Sequence, residues 1–245
     1  MGVRLDRMPS SFKQILRVAS VAGDEFLRRE TPDIDNHIGQ YFALSEVLAV
    51  LKDTQQTLDG FTPWGSVKQL MDYIRQADNL QMLILASDLS AADRAQSLQS
   101  LRKKPGRSLL SQGTLRGSSL GSNPFDIPVA FRHCFLQQCV YASLMPEKRE
   151  YFHGAFANYY ERTMTSANKA HHLPLLSKSL TYKYLLENNP ILVFHLEHVP
   201  GEGKRKLIWA EKAFMFYAEE LRMIDTGFDA YDRLERLMQE YPQVR

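Results

Sequence analysis

Phe131-Arg132-His133, Leu136-Gln137-Gln138, Val140-Tyr141 and Ser143-Leu144-Met145-Pro146, with Arg149 and His153 beyond, mark the point where the chain changes character. Downstream of Cys134 everything reads helical. Leu136, Val140, Tyr141 and Leu144 fall on one helix face, because residues three and four apart are neighbours on a helix. Pro146 suits the first position of the next helix, which carries Phe152, Phe156, Tyr159 and Tyr160. Pro174 and Pro190 open two more in the same way.

The last helix pair is expected over 204–224 and 228–241, broken at Asp225-Thr226-Gly227. Ala210, Ala213, Tyr217, Ala218 and Leu221 give it a small-and-aromatic face suited to close helix packing. Such hairpins resemble tetratricopeptide-like (TPR-like) arrays, although no strict period is present. An array that stops at Arg245 lacks a far-end cap, so Tyr217 and Leu221 are candidates for an interaction face.

Upstream the pattern differs. Phe12, Ile15, Leu16 and Ala19 follow helical spacing; Ser11 and Gln14 suggest a capping box, and Gly23 a stop. A second helix is expected over 40–53 on Phe42, Val47, Leu48 and Leu51. A third follows Ser66 on Val67, Leu70, Met71 and Ile74, after the breakers Pro63 and Gly65. Gln81 to Leu85 and Ile127 to Phe131 are short apolar runs of strand size. Between them lie a charged helical stretch near 90–101 and a Gly/Ser-rich stretch, Lys103 to Asn123. The latter has too little apolar surface to order itself, which makes about 88–123 a flexible insertion. Three helices followed by two strands is the element order of a winged helix, here with an enlarged wing. The expected fold class is therefore mainly α. A winged-helix domain over 1–165 precedes the start of a helical-repeat domain over 166–245.

Composition narrows the function classes. The chain has 245 residues and a formal net charge of +2, so no global attraction to nucleic acid or anionic lipid is written into it. No apolar run approaches the roughly 20 residues of a membrane span. The opening Met1 to Met8 is charged, unlike a secretory signal. The two cysteines, Cys134 and Cys139, have no zinc or redox spacing. A reducing, cytoplasmic location without disulfides is the expectation.

A second block stands near the start: Leu5-Asp6-Arg7-Met8-Pro9, Ile15 through Gly23, and Glu25-Phe26. Together with the block at 131–153, it resembles the segment that follows the P-loop core in STAND ATPases, a branch of AAA-type signalling ATPases. The nearest branch is the one joined to class III nucleotide cyclases, the soluble adenylyl and guanylyl cyclases. The resemblance covers nearly the whole chain except the insertion. It implies a winged helix that packs on a nucleotide-binding core, and a helical tail that receives a partner.

The sequence holds no G-x-x-x-x-G-K-[ST], so no P-loop cradles phosphates here, and no cyclase domain fits its length. The expectation is a non-enzymatic regulatory segment with no cofactor of its own. ATP or ADP would come only with a partner ATPase core, and the other partner is an unknown effector. The alternative is a stand-alone winged-helix DNA-binding regulator, motivated by Arg102, Lys103, Lys104, Arg107 and Arg116; their short stretch lacks stacking aromatics.

The resemblance makes His133 the candidate nucleotide sensor, since an imidazole donates to a phosphate oxygen and titrates near neutral pH. The bland alternative is a structural histidine at a strand-to-helix junction. Cys134 stands where an acidic residue often follows in the family. Gly201-Glu202-Gly203-Lys204 mimics a phosphate loop, but His198 replaces its first glycine and Arg205 its metal-ligating hydroxyl, so a solvated turn is expected. His195 and His198 lie three apart on one helix, with His171-His172 upstream. Packing and helix-end roles are expected of them rather than metal binding. The aromatic run from Tyr151 to Tyr160 reads as core.

Overall fold

A computed structural model describes residues 8–22, 41–55, 67–76, 82–85, 128–169, 191–215 and 224–244. The protein is mainly helical. It divides into two compact units, Met1–Leu144 and Met145–Arg245. The division falls at the break before Pro146. The helix Pro146–Lys169 runs unbroken.

In the first unit the order is α1 (Ser10–Val21), β1 (Tyr41–Ala43), α2 (Leu44–Gln55), α3 (Val67–Gln76), β2 (Leu83–Leu85), β3 (Pro128–Phe131) and α4 (Cys134–Ala142). Helix α1 buries Phe12, Ile15, Leu16, Val18 and Ala19. The Pro9 carbonyl accepts from the amides of Phe12 and Lys13, both at 3.1 Å, and so starts the helix. The expected capping box is absent. Ser11 lies inside the helix, and its hydroxyl pairs with the Tyr73 hydroxyl of α3. The helix ends as Ala22 turns extended; Gly23 lies outside the described residues.

The sheet has the order β1-β3-β2, antiparallel throughout. Tyr41 faces Ala130, and Ala130 faces Ile84 on the other side. The amide of Arg132 donates to the Met82 carbonyl at 2.8 Å and extends the ladder. Strand β1 corrects the sequence reading, which placed 40–53 in a helix. Pro128 sits at the first residue of β3, where a missing N–H is tolerated. Val129, Ala130 and Phe131 are fully buried, as befits a central strand. Helix α1 packs on α2 and α4, and α2 on α3. The stretches 88–123 and 90–101, including the expected flexible insertion, lie outside the described residues.

The second unit carries α5 (Pro146–Lys169), a helix α6 over 191–197, α7 (Gly203–Met215), α8 (Ile224–Glu240) and a closing 3-10 turn, Pro242–Val244. Phe152, Phe156, Tyr160 and Met164 recur every four residues on α5 and are buried. In α6 the run Leu192 to Leu196 is buried without interruption. A helix hydrophobic on all sides is one enclosed by neighbours. The α6–α7 turn needs Gly201, whose φ of 77° is costly for residues with a Cβ.

Helices α7 and α8 pack together. The expected break at Asp225-Thr226-Gly227 is not one: those residues lie within the helix Ile224–Glu240. Asp and Thr are as much at home in a helix start as after a helix end. Gly203 lies against the Tyr241 ring, and a Cβ there would sit 2.7 Å from Cγ of that ring. Gly203→Ala is expected to destabilise by about 1–3 kcal/mol through overpacking. A thermal melt unchanged from wild type would contradict this contact.

Candidate functional site

His133 occupies the junction between β3 and α4. Its backbone is extended (φ −135°, ψ 132°), and it is the N-cap of α4. The carbonyl accepts from the amides of Leu136 at 3.0 Å and Gln137 at 3.3 Å. The side chain makes no capping bond and is exposed. Backbone geometry therefore holds the position while the imidazole faces solvent. Phe135 beside it is also exposed, at 71%. Gln137, one turn on, points the other way: it is buried, and its Nε2 donates to the carbonyls of Ser20 (3.5 Å) and Ala22 (3.4 Å). That side chain supplies partners to carbonyls left over at the end of α1. The two quoted blocks, 15–23 and 131–153, thus meet physically at this bond. Tyr217 and Leu221, the expected interaction face, lie outside the described residues, while Ala210 and Ala213 of that pattern are buried on α7.

The second unit gathers three histidines that the sequence does not bring together. His153 of α5 and His195 of α6 are both fully buried, and their Nδ1 atoms lie 2.8 Å apart. His198 stacks on His153 with centroids 4.3 Å apart and planes at 14°. Its Nδ1 donates to the Phe194 carbonyl at 2.9 Å. Phe156 and Tyr160 stack on His195 at 5.1 and 5.8 Å. Spacing reveals His195 and His198 as near neighbours, but His153 is 42 residues from its partner and carries no local signal. Among the described residues no group of three or more His, Cys, Asp or Glu side chains is arranged to hold a metal ion.

The turn at Gly201-Glu202-Gly203-Lys204 opens on a groove of about 410 Å³, lined by Glu161, Arg205, Trp209 and Lys212 among others. Arg205 forms an ion pair with Glu161 and donates to Asn158 Oδ1 at 2.7 Å. Trp209 donates its Nε1–H to the same Glu161 at 2.9 Å. Lys212 sits over the Trp209 ring at 4.2 Å. Arg205 and Glu161 are thereby committed to each other through one guanidinium NH2, while the Arg205 Nε is buried without a hydrogen-bond partner, and the loop joins two helices. Lys206 is nearly buried and is held by the Tyr241 hydroxyl at 3.1 Å.

Among the described residues no helix is long and apolar enough to cross a membrane. Comparison with protein-family models, with curated proteins and with solved structures finds no match.

Proposed function

We propose that this chain is a non-catalytic regulatory segment of the STAND ATPase type. A winged helix would dock on a nucleotide-binding core, and the helical unit would bind a further protein. The observation that carries the reading is the topology of the first unit. Its order α1-β1-α2-α3-β2-β3, with β3 paired between β1 and β2, is compatible with a winged helix and supports that reading. The packing of α7 against α8 supports the TPR-like part of the reading. The exposed imidazole of His133 supports a contact with nucleotide supplied by the partner core. Such an arrangement would relay nucleotide state, in the manner of the soluble cyclase-linked ATPases, without turnover in this chain.

The test is a pull-down of the full chain with a separately expressed STAND ATPase core, with and without ADP. Binding that strengthens with ADP and weakens in His133→Ala is the expected result. A monodisperse chain that ignores the core in both states would overturn the proposal.

A second reading has one observation in its favour. In a helix-turn-helix, the second helix of the pair lies in the major groove. Helix α3 exposes Lys68, Gln69 and Arg75, residue types that contact phosphates and base edges. Tight binding to duplex DNA that falls steeply with salt would select this DNA-binding regulator instead.

A further inference from the structure

We propose that the His153–His195 pair, with His198 stacked on it, is an acid-sensitive latch that holds α6 against α5 at neutral pH and releases it as pH falls. The argument starts from the Nδ1···Nδ1 distance of 2.8 Å. One nitrogen must donate and the other accept, so a single proton lies between the two rings. The accepting ring is barred from a proton at Nδ1 as long as the contact lasts. The native pair therefore takes up at most one additional proton, at Nε2 of the donor ring. The separated rings of an unfolded or opened chain take up two.

Burial opposes even that one proton, because it takes the charge out of water. Both rings are fully buried. From α5 come the Phe156 and Tyr160 rings; Arg149 stands four residues before His153 on the same helix. From α6 come Phe194, His198 and Glu197. The Glu197 carboxylate is committed to Arg233 of α8 at 2.9 Å, and its carbonyl to Lys206 of α7.

The sign follows from linkage. Below the ordinary imidazole pKa of ~6.5, the opened state binds more protons than the closed one. Stability from the closed pair is present above that range and is lost as pH falls through it. One excluded proton makes the unfolding constant rise about tenfold per pH unit; two make it about a hundredfold. Release would uncover Phe156, Phe194 and Leu192, all buried in the closed state. Low pH would thus turn a closed helical unit into one with an apolar face to offer.

The test is urea unfolding of the full chain between pH 8 and pH 5, against His195→Asn. An amide at 195 still hydrogen-bonds His153, but its oxygen accepts from a fully protonated ring, so the exclusion disappears. The expected result is a pH slope at least about tenfold per unit in the wild type, reduced by about tenfold per unit in the variant. An equal slope in both would overturn the latch. The same question is put to the unmodified chain by ring-nitrogen NMR, which does not depend on the variant folding. The His153 and His195 rings are expected never to be doubly protonated together while native signals persist. Two imidazolium signals in the native state would overturn it equally.

Discussion

Phe156→Ala is expected to lower the stability of the 145–245 unit by about 3–5 kcal/mol at neutral pH, the range for removing a large ring from a core. Phe156 is fully buried on α5, in the stripe of Phe152, Tyr160 and Met164. Its ring lies nearly parallel to His195, at 13° and 5.1 Å. Removing it opens a cavity and takes one wall from the buried imidazole. The neighbours are themselves helix-borne and close-packed, so little collapse can refill the space. Domains hold only about 5–15 kcal/mol in total, so the loss consumes much of the margin. Phe156→Leu keeps most of the volume and is expected to cost about 1–2 kcal/mol, between a tolerated swap and a cavity. Urea midpoints at an unchanged slope report both. A loss under about 1 kcal/mol for the alanine variant would place Phe156 outside the core.

The same stripe shows what could be read from sequence. Tyr151 to Tyr160 announce a buried helix because their spacing repeats over several turns and the signal is local. The long helix α5, the helices α1 and α3, and the strands at 83–85 and 128–131 are legible for the same reason. Strand β1 is not. Three residues hold too few alternations to show a period of two, and Tyr41–Ala43 becomes a strand by pairing with β3, far along the chain. That Asp225-Thr226-Gly227 lie within a helix is not legible, because Asp, Thr and Gly punctuate both ends of helices. Local spacing points the Ser11 hydroxyl to a cap, but its partner is Tyr73, 62 residues away. The histidine trio fails for the same cause: pairing of His153 with His195 is a tertiary fact. By contrast, the position of His133 at a strand-to-helix junction was legible, because Phe131 ends an apolar run and Leu136 begins a helical one.

That junction supports the second large effect and separates scaffold from candidate sensor within three residues. Phe131→Ala is expected to cost about 3–5 kcal/mol, because Phe131 is fully buried on the central strand. Its ring packs near Phe42 of β1, with centroids 6.2 Å apart, and its backbone faces Leu83 of β2. One side chain therefore contacts β1 through Phe42, and its strand pairs with both neighbours. His133→Ala should behave oppositely. The side chain is exposed and gives α4 no cap, so stability should stay within about 0.5 kcal/mol of wild type. The backbone carbonyl that starts α4 survives the substitution. If ADP-dependent binding to an ATPase core is lost in His133→Ala while its melting curve is unchanged, the imidazole acts on a ligand and not on the fold. A destabilisation comparable to that of Phe131→Ala would instead make His133 a structural residue and remove it as a sensor.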